Sequence, residues 1–256
     1  MLIIPWRKIL RLMIGSTGVQ MKEKIISMND SLAQGLAKRV IREVFGHKNE
    51  NLGIDHFPRR KLIREVIKHF KKDIFHVYLG SIKKETSKWE LLYGGWSVSG
   101  VNRKSIDFDN FEYDKLGFDI DLEIPTGRKT KRIFIILSKH ALERLILRRR
   151  PYMSTYKEIL QYLNKVIKRL LLHCLTYVER MQFVKNEFSA AIDGFIYPIA
   201  FDVGVNRNGE RALSFMIKTV MPLEFEGAQK LNALHLNDYV KSSISEYWDL
   251  IHVIHQ

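Results

Sequence analysis

His140, Arg144 and Arg148 recur at every fourth position of the stretch Ser138-Lys139-His140-Ala141-Leu142-Glu143-Arg144-Leu145-Ile146-Leu147-Arg148-Arg149-Arg150. On a helix that begins at Lys139, this spacing puts an imidazole and two guanidinium groups on one face, while Leu142, Leu145 and Ile146 turn toward a core. Neutral imidazole can take a proton from a ribose 2′-hydroxyl. A guanidinium one turn away can hold the adjacent phosphate and stabilise the charge that develops on it. These are the parts needed for metal-independent cleavage of RNA. The same residues also suit a solvated basic helix end carrying an incidental histidine, and both readings stay open at this level.

The charge of the whole chain points the same way. Its 256 residues hold 42 Lys+Arg against 28 Asp+Glu, a net charge of +14, which predicts attraction to polyanions. Residues 1–80 carry 16 basic and 7 acidic side chains, and residues 128–150 carry 9 and 1. The remainder is acidic or neutral: 6 and 9 in residues 81–127, and 11 and 11 in residues 151–256. Two separate basic blocks suggest a positive face rather than a diffuse surplus. Candidate phosphate contacts are Arg60, Arg64 and Lys68 in the first block. In the second they are Arg128, Lys129, Lys131, Arg132, Lys139, Arg148, Arg149 and Arg150. RNA is the first partner implied and DNA the next. An anionic membrane surface, an inhibitor or an acidic protein partner follows.

Composition excludes several classes. With 46% hydrophobic residues, 15 Gly and 6 Pro, the chain is neither wholly disordered nor fibrous. No apolar run reaches the roughly 18 to 20 residues of a transmembrane helix. Cys174 is the single cysteine, so no internal disulfide forms; a reducing, cytoplasmic compartment is expected. No CxxC or Cys/His cluster is present. His47, His56, His69, His76, His173, His235, His252 and His255 are read as lacking a carboxylate or cysteine at ligand spacing, so neither metal nor cofactor is expected.

The pattern of apolar residues supplies the elements that must position the basic stretch. Residues 31–45 and 58–79 read as amphipathic helices, the second with a stripe of Leu62, Ile63, Val66, Ile67, Phe70, Ile74 and Tyr78 ending at Gly80. Period two then takes over. Leu116, Phe118, Ile120, Leu122 and Ile124 alternate with Asp119, Asp121 and Glu123, an expected solvated row, and Ile106 and Phe108 alternate likewise. Gly94, Gly95 and Gly100 are expected to punctuate strands, while Tyr93, Trp89, Trp96 and Phe111 suit either a core or base stacking. A strand over Arg132–Leu137 runs into Ser138, a suitable helix cap, and that helix ends before Pro151. A long core helix follows over about residues 155–183. Two strands, FIYPIAFDVGV and ALSFMIKTVMP, then flank an Asn-Gly turn, with Pro198 marking an edge or bulge. A last helix is expected over residues 236–255. The fold class is therefore α+β: a basic helical segment over residues 1–85, its first 20–28 residues loosely ordered, then a domain over residues 86–256. In that domain a mainly antiparallel sheet is packed by one long helix and a C-terminal helix.

The strand, then Ser138-x-His140-Ala141-Leu142-Glu143-Arg144, then the hairpin ending in Lys218-Thr219-Val220-Met221-Pro222, resembles small RNA-cleaving toxins of the barnase, EndoU, colicin and RelE-like group. The likeness spans about residues 130–222. It implies a compact twisted antiparallel sheet beside N-terminal helices. It also implies His140 as general base or acid, Arg144 as phosphate clamp, and Lys218 and Thr219 completing the pocket. On one strand Lys218 and Thr219 face opposite ways unless a bulge intervenes. The expectation is a nucleic-acid-engaging protein, most specifically a toxin- or defence-type ribonuclease. The alternatives are a non-catalytic RNA- or DNA-binding protein, or an interaction protein of a bacterial or phage accessory system.

Overall fold

A computed structural model describes residues 30–47, 62–84, 88–99, 115–123, 129–149, 153–180, 186–205, 209–231 and 237–255. The N-terminal tail, the alternation at Ile106 and Phe108, Phe111, and the candidate contacts Arg60, Arg128 and Arg150 lie outside them. Helix α1 covers residues 30–46, followed by α2 (Leu62–Lys72) and four strands, β1 (His76–Lys84), β2 (Lys88–Ser99), β3 (Lys115–Glu123) and β4 (Lys129–Ser138). Helices α3 (Lys139–Arg149) and α4 (Tyr156–Arg180) lead to β5 (Glu187–Ile192), β6 (Phe195–Val205), β7 (Arg211–Ile217) and β8 (Met221–Pro222). Short α5 (Glu226–Leu231), two 3-10 turns (Asn237–Tyr239, Ile244–Tyr247) and α6 (Trp248–His255) close the chain.

The strands form one sheet in the order β1-β2-β3-β4-β7-β6-β5, with β8 pairing β6. Every pairing is antiparallel except β4–β7, where Ile133 to Leu137 run parallel to Leu213 to Ile217. This is the α+β architecture that the sequence indicates. Helix α4 is its spine, burying Ile159, Leu160, Leu163, Val166, Ile167, Leu170, Leu171 and Cys174. These join one cluster with Leu92, Trp96, Phe118, Ile135, Phe188 and Phe215 of the sheet and with Ala33, Ala37, Val40, Ile41 and Val44 of α1. Each such aliphatic side chain contributes about 1.5–3 kcal/mol on full burial. The β1–β2 hairpin pairs strands on either side of residue 85, where the sequence suggests a segment boundary, and α1 shares the core of the sheet. No helix among the described residues is long and apolar enough to cross a membrane.

Several local expectations are corrected. The helix expected to reach residue 79 stops at Lys72, because Asp73 turns back to accept the Phe75 N–H at 2.7 Å and frees the chain to pair β1 with β2. Ile74 and Tyr78 keep a helical spacing that the sheet overrides. Gly94 and Gly95 lie inside β2 rather than at its ends. At Gly94 an added Cβ would sit 2.3 Å from the Phe118 ring, so glycine is needed for β3 to lay that ring across its neighbour. The expected solvated acidic row is not solvated throughout: Asp121 is buried, and Asp119 accepts the Ser97 hydroxyl at 2.8 Å. β3 is an interior strand, between β2 and β4. Tyr93 and Trp96 are buried and belong to packing, not to a stacking platform for bases.

β6 is interior as a whole, but at Pro198 it is locally an edge: the proline pairs with Ser189 of β5 on one side, and on the other it falls in the gap between Ile199, where pairing to β7 begins, and Ile196, where pairing to β8 begins. The expected final strand ends at Ile217; residues 218–220 are irregular before β8 returns to β6. The expected C-terminal helix starts only at Trp248. Glu246 reaches back to the Ser243 N–H (3.0 Å) and the Ser242 hydroxyl (2.7 Å), a capping arrangement that resets the start of the final helical segment. Trp248 then anchors it to β2 by donating its indole N–H to the buried Glu90 carboxylate at 2.8 Å.

Two expected outcomes follow from this packing. Gly94→Ala drives a methyl group into Phe118 and is expected to lower unfolding free energy by at least about 2 kcal/mol in urea titration. Burial holds the imidazoles of His173 and His255 down to about 4. An unfolded histidine titrates near 6.5, so between about 6.5 and 4 the unfolded chain binds protons that the native chain does not, and stability falls as pH drops through that window. Urea midpoints are expected to decline from pH 7 toward pH 5, and His173→Gln should flatten that decline by roughly 1 kcal/mol per pH unit.

Candidate functional site

The basic stretch is positioned by Ser138. As the last residue of β4, it accepts the Ala141 N–H on its Oγ at 3.0 Å and donates its hydroxyl to the Lys218 carbonyl at 2.8 Å. One side chain thereby caps α3 and ties the carboxyl end of β4 to that of β7. Ala141, Leu142, Leu145 and Ile146 bury the inner face of α3, leaving the His140–Arg144–Arg148 row on another face.

His140 is exposed, and Arg144 and Arg148 are half-buried. The Arg148 guanidinium lies over the Phe225 ring at 5.3 Å, and its Nη1 is shielded from solvent with no hydrogen-bond partner among the described residues. Desolvation, then repulsion from Arg144, lowers its affinity for its proton relative to an ordinary guanidinium. Among the described residues, no carboxylate forms an ion pair with Arg144 or Arg148. The row thus sets two positive charges near each other, with no carboxylate ion-paired to either among the described residues.

The other sequence-nominated residues divide sharply. Arg149 is committed to the fold: its guanidinium lies 4.8 Å from both the Tyr162 and Phe195 rings and donates to the Asp193 carbonyl at 2.7 Å. Asp193 and Gly194 make the two-residue turn between β5 and β6, with φ of 52° and 79°, and the Asp193 carboxylate pairs with Arg169. Arg132 pairs with Glu210 at 3.2 Å. Lys218 lies beyond the end of β7, and its ammonium is held by Glu187 at 2.8 Å. Its backbone, not its charge, is what the structure brings to α3. Thr219 and Lys139 are half-buried, and Lys129 and Lys131 lie along β4. Arg64 and Lys68 are exposed on α2, Lys68 lying 3.8 Å from Glu65. Because β2 and β3 separate β1 from β4, the strands behind the two basic helices are about 14 Å apart.

A second polar cluster was not expected. His47 follows α1, Asp73 follows α2 and His76 opens β1, and these three chain ends converge. Asp73 Oδ2 lies 2.6 Å from His76 Nδ1 and 3.9 Å from His69 Nε2, while its Oδ1 accepts the Phe75 N–H. His47 stacks on Phe75 with ring centroids 4.0 Å apart. The Asp73 carboxyl sits below the ordinary range: burial opposes this, but the His76 and Phe75 hydrogen bonds and the nearby imidazoles outweigh it. A cavity of about 280 Å³ adjoins His76, with Lys71, Asn164, Lys165 and Lys168 in its lining. Asn164 accepts the Trp96 indole N–H at 2.6 Å and donates to the Ile74 carbonyl at 3.0 Å, fixing α4 against this corner. The reading that no carboxylate partners these histidines is therefore corrected. The local signal was His69-x-x-x-Asp73-x-x-His76 at the end of a helix. Its contact with His47 required the fold.

No protein-family model, no curated protein and no solved structure matches this chain.

Ser138→Ala removes both the α3 cap and the link to Lys218. The expected loss is about 1–2 kcal/mol of unfolding free energy, measured by urea titration, with Ser138→Asp retaining more stability than Ser138→Ala because a carboxylate still accepts at the cap.

Proposed function

We propose that this protein engages nucleic acid, RNA foremost, through the His140–Arg144–Arg148 row of α3, with the half-buried Arg144 and Arg148 holding phosphates. The observation that carries the proposal is the pair of adjacent guanidinium groups with no ion-paired carboxylate among the described residues. Like charges packed together resist folding unless an anion or solvent relieves them, and a phosphate oxygen is a natural acceptor for a guanidinium fork. The net charge of +14 draws such a ligand in over a longer range.

A finer reading, metal-independent RNA cleavage of toxin or defence type, is favoured by the exposure of His140 one helical turn from Arg144. His140 is then the base toward a 2′-hydroxyl, and Arg144 steadies the phosphate as it gains charge. The Lys218 ammonium is occupied by Glu187, so its part in such a site requires that ion pair to open.

Binding of a labelled single-stranded RNA should weaken as potassium chloride rises. Arg144→Ala and Arg148→Ala should each reduce the slope of log K against log salt by about 0.7. A salt-independent affinity, or slopes unchanged in both variants, removes α3 from the interface. Incubation of RNA with the protein in EDTA separates the finer reading: cleavage that vanishes in His140→Ala while binding persists identifies a ribonuclease. Binding without cleavage identifies a non-catalytic binder, and cleavage that survives in His140→Ala excludes His140 as the base.

A further inference from the structure

We infer that His47, Asp73 and His76 form a binding site for one first-row divalent metal ion of the Zn²⁺ type. The site lies apart from the α3 row and does not rest on its function.

The fold brings these three residues together. They come from three different chain ends, and a ring nitrogen of each histidine and a carboxylate oxygen of Asp73 all lie within 4.8 Å of one another. Two imidazoles and one carboxylate are the donor set used for zinc and related ions where a position is left for water or another ligand. Donor atoms about 2.0–2.2 Å from a tetrahedral metal stand about 3.3 Å from each other. The 2.6 Å contact between His76 Nδ1 and Asp73 Oδ2 therefore has to open by less than about 1 Å, and donor atoms as far apart as 4.8 Å have to close by up to about 1.5 Å.

A structural hydrogen bond alone would need one histidine beside Asp73. Here His76 and His47 lie within ligand reach, and His69 stands 3.9 Å from the same oxygen, poised as a further donor at the rim. The surroundings also have the form that orients ligands. Asp73 Oδ1 is held by the Phe75 N–H, so Oδ2 is left to point inward. The Phe75 ring lies flat against His47, and Phe70 flanks His76 with centroids 6.5 Å apart, giving an apolar wall behind the imidazoles. Close by, an added Cβ at Gly95 would meet the His76 Cδ2 at 2.9 Å, so the back edge of that ring is fixed against β2.

The test is a titration of the folded, full-length chain with Co²⁺ after chelator treatment and desalting. One equivalent should produce a saturable visible d–d spectrum of nitrogen and oxygen ligation, and Zn²⁺ should abolish it by displacement. His47→Ala should weaken Co²⁺ binding by at least about tenfold, as should Asp73→Asn, whereas His140→Ala should leave it unchanged. Because Asp73 also shapes the α2–β1 turn, protection is read in the unaltered protein as well. Zn²⁺ should shield the half-buried His47, but not His140, from diethylpyrocarbonate as mapped by mass spectrometry. The absence of a one-equivalent spectrum, or modification of His47 that is indifferent to Zn²⁺, overturns the assignment.

Discussion

The fold turns on the parallel pairing of β4 with β7. The chain leaves β4 directly into α3, reverses through α4, and re-enters the sheet as the β5–β6–β7 meander, which joins the β1–β4 meander by placing its last strand beside β4. A parallel pair at the centre of a sheet must be covered by the connection that makes it possible. That requirement accounts for the apolar face of α4, and for Ile133, Ile135, Leu213, Phe215 and Ile217 being buried at the join. Ser138 closes the join at one end. The same hydroxyl that starts α3 reaches the Lys218 carbonyl, so the start of the basic helix and the register of the two meanders are fixed by one residue.

Around that join, buried polar contacts set the position of elements that apolar packing alone would leave free to slide. Asn164 reads Trp96 on one side and the Ile74 carbonyl on the other. Glu90, deep under α6, accepts from Trp248 and lies 2.5 Å from His252. Thr176 of α4 meets the Tyr247 hydroxyl, which also accepts the Lys241 N–H at 2.9 Å. An unmade hydrogen bond at any of these points leaves a desolvated polar group, so each contact penalises a shifted arrangement more than it stabilises the right one. Such a frame holds two distinct polar centres apart: a cationic row on α3, proposed above to hold phosphate, and a histidine–aspartate cluster at the α2–β1 turn, proposed to hold a metal ion.

The sequence by itself determined a good deal. Apolar spacing gave α1, α3 and α4 nearly to their ends, because helical stripes of Leu, Ile and Val depend on local periodicity and not on partners. It placed His140, Arg144 and Arg148 on one face for the same reason. It identified the β6–β7 hairpin from its turn chemistry, and the α+β class from the switch between period four and period two. Tertiary structure decided whatever depends on which neighbour is present. Ile74 and Tyr78 obey a helical spacing, yet β1 exists because β2 offers backbone partners. Gly94 looks like punctuation until Phe118 is laid across it. Arg148, Arg149 and Arg150 are equivalent in the sequence, but only packing leaves Arg148 without an ion pair among the described residues and spends Arg149 on Tyr162, Phe195 and the Asp193 carbonyl. His47 and His76 are far apart in the chain, and their ligand atoms come within 4.8 Å of each other and of Asp73 only because two helix ends and a strand start meet at one corner. Periodicity is local and can be read from one chain, whereas burial, charge compensation and convergence are properties of pairs, and the pairs are made by the fold.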